Sequence, residues 1–154
     1  MKKVIVSTLF IILTVAACDG DFPTEYAELE WSHSSSDRMN WQEATKYCEN
    51  IGGRLPTISE IRKLIQNCPA TETGGECKVA DDCLLFNECD GYGCDGCEYD
   101  YGYTGIYSVF GGNSDMWSSS SDSNNSDGAW MVYFNSASVV YENKKNMISF
   151  RCVK

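Results

Sequence analysis

Histidine is almost missing from this chain: His33 is the only one. A metal centre built from several imidazoles is thereby excluded, and any histidine base would have to be His33 itself. That residue sits beside a serine-rich turn, yet no serine lies in a nucleophile-elbow pattern and no glycine-rich phosphate loop occurs. His33 is expected to be an exposed side chain at a strand end, and no catalytic residue is assigned. Basic residues are also few. Twelve Lys and Arg stand against 22 Asp and Glu, for a net charge of −10. Nucleic acid, and anionic glycans held by bulk charge, are poor partners for such a surface. Large aliphatic residues are sparse, which implies a modest core. No internal repeat is present, and beyond residue 17 no apolar run approaches the length of a membrane span.

What is present begins at the first residues, MKKVIVSTLFIILTVAAC. Lys2 and Lys3 precede an apolar run over residues 4–17, too short for a comfortable span of about 20 residues but with the length and flanks of a secretory signal. The segment Val15-Ala16-Ala17-Cys18 is similar to a bacterial lipobox, in which the cysteine becomes the lipidated first residue. Residues 1–17 are therefore expected to be a signal peptide, Cys18 a lipid attachment site, residues 18–26 a tether, and residues 27–154 the folded domain. Acyl chains would then hold the protein on a membrane without a spanning helix. The expected location is the cell envelope. The outer membrane or cell surface is favoured, with the periplasmic face of the inner membrane as the alternative that Asp19 raises. The mature chain loses two lysines and no acid, which leaves it at −12.

Of nine cysteines, Cys18 is taken by the lipid and eight remain: Cys48, Cys68, Cys77, Cys83, Cys89, Cys94, Cys97 and Cys152. An even set in an exported domain reads as a disulfide framework. The stretch CDGYGCDGC (89–97) could otherwise supply thiolates to zinc, or a Cys-x-x-Cys redox pair. Its Gly, Asp and Tyr flanks suit a loop rather than the start of a helix, so structural disulfides are preferred and no metal or cofactor is assigned. Asp122, Asn124 and Ser126 alternate like the ligands of a calcium loop. The glycine falls one place late, however, and Tyr133 stands where a bidentate glutamate is needed. The segment is read as a turn. Asp90, Asp95, Glu98 and Asp100 are read as a solvated acidic loop.

Periodicity places the elements. Residues 27–33 alternate as a strand. Asn40 with Glu43, and Thr57 with Glu60, form capping boxes that open two helices. The first has the stripe Trp41, Ala44, Tyr47, Cys48 and Ile51 and stops at Gly52-Gly53. The second has Ile58, Ile61, Leu64, Ile65 and Cys68. A glycine- and cysteine-rich region covers 69–116. Strands are expected at 116–121, 129–134 and 147–153, antiparallel and with one face covered.

The segments LEWS (29–32), MNWQEATKYC (39–48), GGRLPTISEIRKLIQNC (52–68), WSSS (117–120), AWMVYF (129–134) and FRCVK (150–154) together resemble the Lcl C-terminal domain family. The resemblance covers nearly all of residues 27–154. It implies an α+β, C-type-lectin-like fold: two helices packed on small antiparallel sheets, disulfide-stapled, with the chain ends brought together. It also implies a bridge from Cys48 to Cys152. Those two cysteines lie on expected buried faces and would close a loop of roughly 100 residues. The pairing of the other six is left open. The Glu-Pro-Asn or Gln-Pro-Asp loop and the Trp-Asn-Asp triplet of calcium-dependent lectins are absent, which counts against calcium-mediated sugar binding.

The function expected is a lipid-anchored, extracytoplasmic ligand-binding or adhesion-type module with a monomeric head and a protein or glycan ligand. Residues 129–149 mix Tyr, Asn and Ser as binding surfaces do, so the contacts are expected on the outward face and loops of 117–146. The residues singled out are Trp117, Tyr133, Asn135, Tyr141, Asn143 and Lys145. A structural envelope lipoprotein without a specific small ligand is the alternative. An enzyme of the formylglycine-generating type is the third reading, and no active-site cysteines of that type can be matched.

Overall fold

The computed structural model describes residues 24–98, 105–122 and 124–154. The expected signal peptide, Cys18, the tether to residue 23, and Asp100 lie outside them. The architecture is α+β, with two small antiparallel sheets, short helices and four disulfides. Strands β1 (Thr24–Tyr26) and β2 (Leu29–Trp31) form a hairpin. Its two turn residues, Ala27 and Glu28, both have positive φ, 52° and 66°. Two-residue hairpin turns need that conformation to match strand twist. No Gly or Asn advertises it, so the expected single strand over 27–33 is in fact a turn followed by β2.

Helix α1 (Trp41–Asn50) starts at Asn40 and α2 (Ile58–Arg62) starts at Thr57. Both capping boxes are formed: each cap side chain accepts the N–H of the glutamate three residues on, and that glutamate's carboxylate accepts the cap's own N–H. Helix α2 stops at Arg62, six residues short of the expected Cys68. Leu64 and Ile65 instead make tight turn bonds to Ile61 and Arg62, and Val109 N–H donates to Leu64 C=O. Ile65 bridges Ser108 and Asn67 is left-handed, φ 60°. Pairing with the 105–110 segment outcompetes the last helical turns, although the whole stripe Ile58, Ile61, Leu64, Ile65 and Cys68 is buried as the spacing predicts.

A short helix α3 (Phe86–Cys89) and a one-turn 3₁₀ helix (Tyr92–Cys94) follow. Strands β3 (Met116–Ser121), β4 (Gly128–Tyr133) and β5 (Ser138–Asn143) then make the larger sheet, in the order β3-β4-β5. Its alternating side chains feed two different clusters. Trp130, Val132 and Phe134 pack with α2 and the cysteine-rich region. Ala129 and Met131 pack with Trp117, Ala44, Cys48 and Phe150. Both faces of the sheet are therefore covered, which corrects the expectation of one open face. Residues 147–153 run extended but form only isolated bridges, because they meet three partners in turn: Met39 with Ile148, and both Trp31 and Arg54 with Val153. The chain end is closed against β2, with Glu30 and Lys154 exchanging backbone bonds of 3.0 and 3.1 Å.

Candidate functional site

The eight cysteines of the described region are paired as Cys48–Cys152, Cys68–Cys97, Cys77–Cys94 and Cys83–Cys89. Cys94 and Cys97 thus belong to different bonds, and neither a thiolate zinc set nor a Cys-x-x-Cys redox pair is formed from them. Gly96, between them, has φ +86°, and a Cβ there would lie 2.3 Å from Ser136 O. Glycine lets Cys97 N–H reach Ser136 C=O at 2.7 Å and so docks the loop on the turn before β5. The acidic side chains around it are surface groups. Burial, with the charge of Asp95 nearby, raises the Asp90 carboxyl above its usual value. Among the described residues no three His, Cys, Asp or Glu side chains converge as a metal site would require.

The residues singled out between 117 and 145 do not form one surface. Trp117 is fully buried, and its indole N–H donates to Met39 C=O at 3.1 Å. It is a core residue and is removed from the binding set. Its ring is needed to fill the space between β3 and α1, and the strand pattern had no way to tell which face that was. Tyr133 and Asn135 lie at the turn end of the β4–β5 hairpin. The Tyr133 hydroxyl meets Glu142 at 3.4 Å, and burial together with that carboxylate and Asp115 raises its pKa. Asn135 Oδ1 accepts from Ser136. Tyr141, Asn143 and Lys145 stand toward the opposite end, from about 10 Å away at Tyr141 to about 17 Å at Asn143 along a six-residue strand.

At that opposite end a compact patch is assembled. Buried Trp130 supports Tyr141 edge-on at 5.7 Å, and Tyr141 meets Phe86 at 5.3 Å. Phe86 is 40% exposed. Tyr141 lies across Gly128, where any Cβ would fall 1.9 Å from the ring. The adjoining β3–β4 loop is braced by Asp122, whose carboxylate accepts the N–H groups of Asn124 and Phe86 at 2.8 and 3.2 Å. Those bonds account for the calcium-like spacing: Asp122 organises backbone. Asn143 Oδ1 accepts Lys145 N–H and turns the chain. Lys144 is committed to structure, bonding Ser126 C=O and lying 4.4 Å over the Trp41 ring. Lys145 is exposed. Phe86 carried no sequence signal, since it sits in an irregular region and reaches the patch only through the disulfide-held loop.

A second concave surface lies on the other side of the molecule's core, against α1. A cavity of about 220 Å³ is floored by Phe150, Ile51, Met39 and Tyr47 and walled by the 32–37 loop. A more open depression of about 400 Å³ is lined by Met39, Tyr47, Lys46 and Asn50. His33 stands at the lip of the first cavity. Tyr47, expected within the buried stripe of α1, is 45% exposed and sits edge-on to Phe150 at 5.3 Å.

Comparison with known proteins gives one match. The family model of the Lcl C-terminal domain matches residues 25–154. Neither the search of curated proteins nor that of solved structures found a match. The match takes in all but the first 24 residues, and the chain belongs to the Lcl C-terminal domain family.

Proposed function

We propose that this member of the Lcl C-terminal domain family is a lipid-anchored, extracytoplasmic binding head that contacts its ligand through the Phe86–Tyr141 end of the larger sheet. The observation that carries the proposal is that patch. Exposed Phe86 and half-buried Tyr141 form an aromatic pair held from beneath by a buried tryptophan, between the loop that Asp122 braces and the turn of Asn143 and exposed Lys145 that follows β5. Rigid aromatic area with adaptable amide and hydroxyl groups around it is the composition of recognition surfaces. Pairing of all eight cysteines among the described residues supports an oxidising compartment, in keeping with a signal peptide over residues 1–17 and lipid on Cys18. A C-type-lectin-like arrangement is supported by the adjacency of the chain ends at Glu30 and Lys154 and by the first helix bonded to the final segment through Cys48–Cys152.

The reading is tested by presenting the oxidised head to glycan arrays and to envelope or host-surface proteins, beside Tyr141→Ala and Lys145→Ala variants that melt normally. Loss of the captured ligand by about tenfold, the effect of removing one interface anchor, is expected for Tyr141→Ala. A ligand held equally well by both variants would overturn the assignment of this surface.

A further inference from the structure

We propose that the Asp90–Gly91 step is a site of spontaneous backbone modification, at which the folded protein converts aspartate to isoaspartate with water as the only reagent. An aspartate followed by glycine is the aspartyl pair most open to this reaction, because glycine leaves its nitrogen unshielded. The chain holds four such pairs: Asp19–Gly20, Asp90–Gly91, Asp95–Gly96 and Asp127–Gly128. The first lies outside the described residues. The fold treats the other three differently.

The reaction needs the glycine nitrogen beside the aspartate carboxyl, and a peptide unit free to turn. At Asp90 the first condition is met: Gly91 N–H donates to Asp90 Oδ1 at 3.0 Å, the spacing of reacting groups held together. The second is met as well. Gly91 N–H is bonded to that carboxylate alone, and Asp90 C=O accepts no hydrogen bond among the described residues. Both residues are exposed, and the space a Gly91 Cβ would take is open. At the other two pairs the peptide is locked. Asp127 C=O accepts Lys144 N–H at 2.8 Å, while Gly128 is buried in β4, paired with Asn143 and covered by the Tyr141 ring. Asp95 C=O accepts the Ser138 hydroxyl at 2.6 Å, and Gly96 lies against the backbone of Ser136 and Ser138. Neither unit turns without undocking its loop.

The step balances with no oxidant or reductant. The Gly91 nitrogen forms a bond to Asp90 Cγ and gives up its proton, and the carboxyl O–H leaves with that proton as water. The five-membered succinimide then takes one water back. Addition at the β carbonyl restores aspartate. Addition at the α carbonyl leaves the chain running through the β carbon, which is isoaspartate. Mass is unchanged, and the main chain between Cys89 and Tyr92 is longer by one carbon, so the 96% exposed Tyr92 ring is displaced. The protonated carboxyl is the form that loses water. Burial, with the charge of Asp95, raises the Asp90 pKa, so near pH 5 more of it is protonated than of an ordinary aspartate. Glu76, Glu88 and Lys78 line the same depression, two carboxylates against one ammonium, and that balance does not reverse the shift.

The test incubates the oxidised protein near pH 5, well below its melting temperature, beside the reduced and denatured chain. Peptide mapping with electron-transfer fragmentation distinguishes isoaspartate from aspartate at each site, and hydroxylamine cleavage traps the succinimide. In the denatured chain all three pairs should react at comparable rates. In the folded protein Asp90 should react about tenfold or more faster than Asp95 and Asp127, with hydroxylamine cleavage after Asp90. Gly91 is extended, φ 176°, and has open space at its Cβ position, so Gly91→Ala should melt as the parent does while its Asp90 reacts severalfold more slowly. Equal rates at the three pairs in the folded protein would overturn the proposal, since unfolded molecules would then be the source. An intact Asp90 in folded protein whose denatured reference reacts would overturn it too, as would Gly91→Ala isomerising as fast as the parent.

Discussion

The lobe between Cys68 and Cys97 and the β3–β5 sheet meet at Trp130, whose indole N–H donates to Leu84 C=O at 3.0 Å, and they are held by different physics. In the sheet, Trp117, Trp130, Met131, Val132 and Phe134 are almost wholly buried. Removal of apolar area from water stabilises this part, and one long-range disulfide closes it. In the lobe the only fully buried large aliphatic is Val79. It is ordered by three nested disulfides of sequence separation 29, 17 and 6. It is also ordered by Arg62, whose guanidinium donates to the carbonyls of Thr71, Glu72 and Val79 at 2.9, 2.8 and 2.6 Å. A chain with few large aliphatics can thus fold a second region by restricting its unfolded state instead of enlarging its interior.

The strongest way to break the comparison is to cut the bond that belongs to the sheet side. Cys48–Cys152 spans 104 residues, and chain entropy assigns such a loop about 4.7 kcal/mol, against about 2 kcal/mol for a loop the size of Cys83–Cys89. Replacing Cys48 and Cys152 by alanine should lower the unfolding free energy by about that larger amount. The Cys83/Cys89 double variant should lose less than half as much, with the two bonds that enclose it, Cys68–Cys97 and Cys77–Cys94, falling between. Chemical denaturation of the four double variants measures the order. A flat series would mean that the lobe bonds do not act through loop closure.

Next in size is Arg62→Met. The arginine has no ion-pair partner among the described residues, and burial pulls its pKa below the usual arginine value. Its work is to satisfy three carbonyls. Methionine of similar length would leave them unpaired, at about 1–3 kcal/mol for each group that water cannot reach. A loss of about 3 kcal/mol is expected, together with mispaired Cys68 and Cys77 on oxidative refolding, read by peptide mapping. Native pairing at full yield would show that the disulfides alone shape the lobe.

Two glycines separate the regions more finely. At Gly96 an added methyl meets backbone, Ser136 O at 2.3 Å and Ser138 N at 2.8 Å, on a residue already at φ +86°. Gly96→Ala should cost about 2 kcal/mol and make Cys68–Cys97 the bond most readily reduced by dithiothreitol. At Gly128 the atoms nearest the methyl belong to the far end of the Tyr141 ring, a side chain that can swing aside. Gly128→Ala should cost about 1 kcal/mol or less, and ring resonances should report the loss of the Tyr141–Phe86 contact. Equal losses at the two sites would erase the distinction between a lobe docked by backbone and a sheet end finished by side chains.

These contrasts explain what the residues disclosed. Both helix starts are legible because a capping box is local: Asn40 with Glu43, and Thr57 with Glu60, act within one turn. The end of α2 is not, because Ile65 and Leu64 are drawn away by residues 105–110, which lie far along the chain. Strand β5 is not among the expected strands: Val139, Val140 and Tyr141 are strand formers, but the run is short and flanked by polar Ser138, Glu142 and Asn143, and it is pairing with β4 over all six residues, with Asp95 and Cys97 docked at its start, that makes it a strand. The candidate sites were legible only in part. Tyr141, Asn143 and Lys145 share one end of the sheet with Phe86. Trp117 went to the core, and the cavity beside Tyr47 depends on Phe150, which is over a hundred residues away and invisible to any helical pattern.

The smallest expected effect concerns acid. Burial pushes the Glu60 carboxyl up, but its paired hydrogen bonds with Arg54 at 2.7 Å, the Thr57 N–H and the arginine's charge outweigh that, and the net pKa is lowered from 4.5. A lowered folded value stabilises the native state above the unfolded value and loses that contribution as pH falls through the folded one. Arg54 is half exposed, so the contribution is under about 1 kcal/mol. On the lobe, Asp90 has the opposite sign. Burial first, and Asp95 second, raise it above 3.8, so protonation favours the folded lobe as pH falls from the raised value toward the ordinary one. Glu60→Gln should therefore flatten the loss of stability below about pH 4.5, and Asp90→Asn should remove a small gain in the same range. Melting curves between pH 3 and 6 would show these as opposite changes in slope, and identical slopes for the two variants would mean that acid acts on both regions through net charge alone.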